Sequence, residues 1–213
     1  MADSPFIVAH RAGNDLALLR RAEAARAGLI EADVHLFRGR LEVRHLKTLG
    51  PLPVLWDRWY LAPRRTPRLE LHQLLEALQP GAALMLDLKG RNPRLSLAVL
   101  RALEGSATRV SVCSRSWRLL EPFTGYPDVR VVHSVGSRRQ LRALRRRFAG
   151  HRLGGISIHQ RLLDADLVAE LRERSELIVT WPVETAEEAR RLWAWGVHGV
   201  TTERFEALAG VTA

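Results

Sequence analysis

Leu29-Ile30-Glu31-Ala32-Asp33-Val34-His35-Leu36 is the stretch that decides the fold. Side chains in a strand alternate faces, so Glu31, Asp33 and His35 share one side while Ile30, Ala32, Val34 and Leu36 leave the other apolar. Two carboxylates one pleat apart, about 6–7 Å between Cα atoms, repel each other unless a cation sits between them. A hard divalent ion with oxygen ligands meets that need. An edge strand with a solvated acidic face meets it equally well. The strand alone leaves both readings open.

Working outward, apolar runs of strand length alternate with helical patterns along the chain. Phe6 to His10 reads as a strand and Asp15 to Ala27 as a helix. After the second strand, Gly39 opens a return segment, Arg40 to His45. Pro51 to Pro67, with Trp56, Trp59 and Tyr60, reads as a long ordered loop that could cover the rim. Leu69 to Leu78 reads as a helix closed by Gln79-Pro80-Gly81. Further strands are expected at Ala83–Lys89, Arg109–Ser114, Val129–Val135, Ile156–His159, Leu177–Trp181 and Val197–Thr202, each followed by a helical stretch. Eight strand–helix units with short links predict a single (β/α)8 TIM barrel over residues 1–213, with a doubly wound open sheet as the rival. His10, Asp33, Lys89, Ser114, His159, Trp181 and Thr202 stand near the C-terminal ends of different strands, where a barrel carries its chemistry.

The chain has 213 residues and a formal charge of +10, carried almost wholly by arginine, which favours anionic partners. Ser137 to Arg152 holds much of that charge, but Leu141, Leu144 and Phe148 recur at helical spacing, so the segment reads as a barrel helix with a solvated basic face. It lacks the interleaved aromatics of a single-strand-binding platform, and nucleic acid is not the expected partner. Cys113 is the one cysteine and sits in an apolar strand, which permits a reducing compartment. No leader or membrane span is visible, so the cytoplasm is the expected location.

Four pieces of sequence line up: His10-Arg11-Ala12-Gly13, Glu31-Ala32-Asp33, His45-Leu46-Lys47-Thr48-Leu49 and Asp87-Leu88-Lys89. Together they resemble the glycerophosphodiester phosphodiesterase family over nearly the whole chain. Its opening His-Arg-Gly is similar to His10-Arg11-Ala12, and its Glu-Asn-Thr to Gly13-Asn14-Asp15. Its Glu-x-Asp is similar to Glu31 and Asp33, and its His-Asp-x-Thr-Leu to His45–Leu49. Its Pro-Thr-Leu-Glu resembles Pro67-Arg68-Leu69-Glu70, and its Glu-x-Lys resembles Asp87-Leu88-Lys89. Trp181-Pro182-Val183-Glu184 and Gly196–Thr202 resemble the family's last two motifs. Three departures stand out. The loop after His10 is short and lacks the family's glutamate, Leu46 replaces the aspartate after the second histidine, and Asp87 replaces a glutamate. The short loop and Asp87-Leu88-Lys89 also resemble the related sphingomyelinase D / phospholipase D branch.

The resemblance implies roles. Glu31, Asp33 and Asp87 would hold one divalent cation, Mg²⁺ or Ca²⁺. His10 and His45 would act as general base and acid across the phosphorus, with His35 as the competitor for the second role. Arg11 and Lys89 would neutralise phosphate charge, and Trp181 would pack on the alcohol portion. Leu46 offers His45 no carboxylate, so His45 is expected to be the less firmly held histidine. The implied substrate is a small-molecule or lysophospholipid phosphodiester, the latter requiring transient contact with a membrane surface. The oligomeric state is not implied.

Overall fold

The structure is a computed structural model and describes residues 4–48, 54–57, 60–63, 68–106 and 108–211. Eight parallel strands make its barrel: β1 (Phe6–Ala9), β2 (Leu29–Phe37), β3 (Ala83–Leu88), β4 (Arg109–Ser114), β5 (Val129–Val135), β6 (Gly155–His159), β7 (Ile178–Trp181) and β8 (Gly199–Thr202). Each pairs with its successor from β2 to β8. β1 closes the ring between β8 (Phe6↔Gly199 to Ala9↔Thr202) and β2 (Val8↔Leu29, Ala9↔Ile30). Closure removes both the open doubly wound sheet and the reading of β2 as an edge strand. β2 runs between β1 and β3, and Asp33 is wholly buried.

Helices α1 (Leu16–Ala24), α2 (Leu71–Ala77), α3 (Arg94–Leu103), α4 (Arg138–Arg147), α5 (Ala165–Arg174), α6 (Ala186–Ala194) and α7 (Phe205–Leu208) pack outside. Asp15, Ser137, Asp164 and Thr185 accept hydrogen bonds from first-turn amides, so four of them start at a side-chain cap. α4 buries Leu141 and Leu144 and exposes arginines, as its spacing requires. The expected helix from Leu69 starts instead at Leu71. Leu69 and Glu70 first pair antiparallel with the return strand Arg40–Val43, and the Glu70–Gln73 capping box then opens α2. Within the expected loop at 51–67, Val54–Asp57 and Tyr60–Pro63 form a hairpin that adds Lys47–Thr48 as a third strand. Leu55 and Ala62 are buried and Lys47 Nζ lies 5.3 Å from the Trp56 ring centre. Trp59 lies outside the described residues, as do Leu49, Pro51 and Pro67 of the quoted motifs.

Parity along the strands sets what faces inward. Val8, Leu29, Met85, Cys113, Val132 and Val179 make one buried cluster inside the barrel. Two residues further along each strand, the same parity turns His10, Glu31, Asp87, Arg115 and Trp181 toward the open end. Ser114 and Thr202 have the other parity. Their hydroxyls are engaged by backbone, Ser114 donating to the Leu88 carbonyl and Thr202 accepting from the Arg204 amide.

Between β4 and β5 two 3₁₀ turns, Trp117–Leu119 and Glu121–Phe123, replace a full helix. His133 is buried there against Trp117 (5.7 Å between ring centres) and Phe148 (4.5 Å). Burial, followed by the Arg147 charge, pushes its pKa down from 6.5 to about 4. Between those two values the unfolded chain takes up a proton that the folded ring refuses, so stability falls as pH drops from 6.5 toward 4. His133→Phe gives up the ring's hydrogen bond with the Gly155 backbone, so it should cost about 1 kcal/mol of urea stability at pH 7.5 and recover up to about 3 kcal/mol of the loss at pH 4. Parallel acid profiles of the two proteins would show that His133 is not the group responsible.

Candidate active site

The chain turns sharply after β1. Arg11 adopts a left-handed backbone (φ 56°), which aims its amide at Glu31 Oε2, 2.6 Å away. Gly13 then lies so close to β2 that a Cβ there would come within 2.7 Å of Ala32 Cβ, which leaves room for glycine alone. This close passage brings Asn14 onto Asp33. Asn14 Nδ2 donates to Asp33 Oδ2 and its Oδ1 accepts from the Asp33 amide, both at 2.8 Å.

A second crossing comes from the return segment. Arg40–Val43 pairs antiparallel with β2 (Val34↔Val43), and the Arg44 amide continues the ladder to the Asp33 carbonyl at 2.9 Å. Arg44 is buried, held by Glu42 (2.6 Å), and donates to the Leu46 carbonyl. Pinned on both sides, His45 sets its Nδ1 3.0 Å from Asp33 Oδ2 and its Nε2 2.8 Å from an Arg11 terminal nitrogen. A guanidinium can only donate, so Nε2 carries the lone pair and Nδ1 the proton that it donates to Asp33. The expectation that Leu46 leaves His45 without a carboxylate is therefore corrected: the carboxylate comes across the hairpin from Asp33, not along the chain.

Glu31, Asp33 and Asp87 each place a carboxylate oxygen within 4.8 Å of the others. An ion bound at 2.3–2.6 Å bridges oxygens up to roughly 5 Å apart, so the three fit one hard divalent cation. Lys89 Nζ meets Asp33 Oδ1 at 2.5 Å and also contacts Asp87. Burial, together with the charges of Asp33 and Asp87, pushes the Glu31 carboxyl well above its ordinary value, against Lys89 and the Arg11 amide. Burial lifts Asp87 as well, with Lys89 opposing. Burial would lift Asp33 too, yet hydrogen bonds from His45, Lys89 and Asn14 outweigh it and hold Asp33 ionised below the usual range. The same carboxylates overcome the burial of Lys89 and raise its pKa.

His10 lies at the same mouth, its Nδ1 3.3 Å from Glu203 Oε1, and Arg11 reaches that carboxylate at 3.1 Å. Burial and then the Arg11 charge lower the His10 pKa to about 4, with Asp33 and Glu203 opposing. His35 stands beyond the last barrel pairing of β2, opposite Glu42 in the hairpin. Its pKa is lowered to about 3, first by burial and then by Arg44. Across the mouth, Trp181 packs against His159 with the rings tilted by 60° and 4.7 Å between their centres. A cavity of about 820 Å³, lined by the starts of β4 and β5 and by Phe123 and Phe148, contains none of these groups.

No protein-family model matches the sequence, and no curated protein matches it. Solved structures do match. A phosphodiesterase from Oleispira antarctica, solved in complex with its product sn-glycerol-3-phosphate, superposes with a TM-score of 0.78 at 17% identity, covering 98% of this chain and 96% of that one. The chain has the glycerophosphodiester phosphodiesterase fold. The enzyme of that name from Thermotoga maritima gives a TM-score of 0.77 at 17% identity, covering 95% of this chain and 96% of its own. That from Parabacteroides distasonis gives 0.74 at 18% identity, covering 98% and 96%. At such identities the likeness is one of fold, and the chemistry of this barrel rests on its own residues.

Sequence reasoning missed three of those residues as site members. Asn14 was visible in Gly13-Asn14-Asp15, but nothing there signals its double bond to Asp33. Glu203 directly follows the last quoted motif, one pleat beyond Thr201, and so faces inward like His10. Arg44 precedes His45 and reads as one more surface arginine until the hairpin buries it.

Proposed function

We propose that the protein is a metal-dependent phosphodiesterase that hydrolyses glycerophosphodiesters to glycerol phosphate and an alcohol. The observation that carries this reading is convergence: His10 and His45, from separate crossings, both stand over the Glu31–Asp33–Asp87 cluster at one mouth. A barrel that only bound phosphodiesters would not need a second imidazole at the mouth beside the one held on Asp33. One Mg²⁺ or Ca²⁺ held by those three residues would supply Lewis-acid polarisation of a phosphate oxygen. The Arg11 Nε, buried and without a hydrogen-bond partner among the described residues, is a donor for another phosphate oxygen, and Lys89 balances the remaining charge. His45, with its lone pair on Nε2, suits the proton acceptor that activates water or a substrate hydroxyl. His10 would then be the proton donor to the leaving oxygen, with Glu203 and the bound phosphate anion favouring the protonated form that burial and Arg11 disfavour. This assignment inverts the order in which the sequence pairs the two histidines. Trp181 would pack on the alcohol portion.

A screen of glycerophosphodiesters and lysophospholipids with Mg²⁺, Ca²⁺ or EDTA, read by phosphorus NMR, tests the proposal. Turnover with one of the two metals and none after exhaustive chelation is the expected result. A cyclic phosphate product would identify a substrate hydroxyl as the nucleophile, and a glycerol phosphate would identify water. Binding without product from any substrate would leave a phosphodiester-binding barrel. Among the described residues no helix is long and apolar enough to cross a membrane, so a lysophospholipid would have to be met at a bilayer surface.

A further inference from the structure

Arg115 follows β4 directly, and the register that sets Asp87 opposite Cys113 brings Arg115 level with Lys89. Its parity turns it inward. Its guanidinium carbon lies 4.9 Å from the centre of the Trp181 ring, on an indole that also contacts His159. Gly136 makes this corner tight, since a Cβ there would sit 3.4 Å from the indole edge and 3.7 Å from the Arg115 guanidinium carbon. Arg161 donates to the Gly136 carbonyl at 3.2 Å and brings a second guanidinium to the same corner. Among the described residues Arg115 has no carboxylate within ion-pair distance, yet both Asp87 and His159 feel its charge.

The face of an indole at a phosphodiester site is the natural seat for a quaternary ammonium such as choline. Here the Arg115 guanidinium occupies it, and Arg161 adds a second positive charge beside it. We infer that this corner selects phosphodiesters bearing a second anionic group, a phosphate on the alcohol portion, and disfavours those bearing choline. The inference rests on the phosphodiesterase reading and adds the substrate class to it. Each exposed charge pair is worth about a factor of a few up to ten, and exchanging a repelled cation for an attracted anion counts the difference twice. A preference on the order of 10²-fold at low salt is therefore expected, shrinking as salt screens it.

The experiment compares glycerophosphoinositol phosphate with glycerophosphocholine in two assays. One is kcat/KM with the activating metal at 50 and 500 mM NaCl. The other is calorimetric affinity in Ca²⁺ or Mg²⁺, which needs no turnover. Arg115→Gln should bring the ratio to within about threefold, Arg115→Glu should reverse it, and Arg115→Lys should keep most of it. Thermal melts establish that each variant is folded. Equal treatment of the two ligands by the wild type, or a preference untouched by Arg115→Gln, would overturn the inference. If no substrate is turned over, the enzymatic reading fails on its own, and the binding ratio still decides the role of Arg115.

Discussion

Asp33→Asn should lower kcat/KM by roughly 10⁴-fold while leaving the barrel folded. Asparagine keeps the volume and one acceptor oxygen but removes the charge that ties the site together. Asp33 belongs to the carboxylate trio, accepts the Nδ1 proton of His45, contacts Lys89 and is gripped twice by Asn14. Loss of a cation ligand and loss of imidazole orientation thus come from one substitution, and such losses act as a unit rather than a sum. Asp87→Asn is the informative companion. It touches the trio and Lys89 without reaching His45, so a smaller loss, about 10²–10³-fold, is expected. Calorimetry with Mg²⁺ and Ca²⁺ should show weakened binding for both variants. An Asp33→Asn protein within tenfold of wild type would mean that Asp33 is not the organising residue.

The two histidines should separate by leaving group. His10→Ala and His45→Ala are each expected to cost 10²–10⁴-fold on an alkyl glycerophosphodiester. A p-nitrophenyl ester departs with little need of a proton, so it should restore much of His10→Ala and little of His45→Ala. The basis is the tautomer: the Arg11 contact leaves the lone pair of His45 on Nε2, the form that accepts a proton. Rescue of His45→Ala alone would exchange the roles, and equal rescue would deny both. Should His45→Ala be silent on every substrate, His35→Ala becomes the next variant. Its place outside the barrel pairing predicts that it too will be silent.

The barrel was legible because its signals are local. Runs of strand length with turn residues between them state eight units, and alternation within Leu29–Leu36 states that Glu31 and Asp33 share a face. The carboxylate trio follows from the same periodicity in Asp87-Leu88-Lys89. What escaped is set by register between distant segments. Nothing in His45-Leu46 says that Val43 will pair with Val34 and so lay the imidazole on Asp33. Nor does Arg115, one residue past β4, disclose an indole arriving from β7. The start of α2 escaped for a related reason: Leu69 and Glu70 fit a helical pattern, but a free strand edge on the return segment claimed them first.

The closing seam of the barrel has a consequence for how the chain acquires its chemistry. β1 joins β2 through two residue pairs only, and its other edge waits for β8, so contacts such as Arg11 to Glu203 span 192 residues of sequence. Parallel pairings this distant in sequence carry the largest loop-closure cost. The turn that carries His10, Arg11 and Asn14 follows β1, so its final position depends on that seam. The β2–β3 pair by itself holds all three carboxylates, but neither His10 nor the contact of Arg11 with Glu203. Closing the barrel and completing the proposed site are thus coupled, because without the seam the carboxylate trio has no His10 above it.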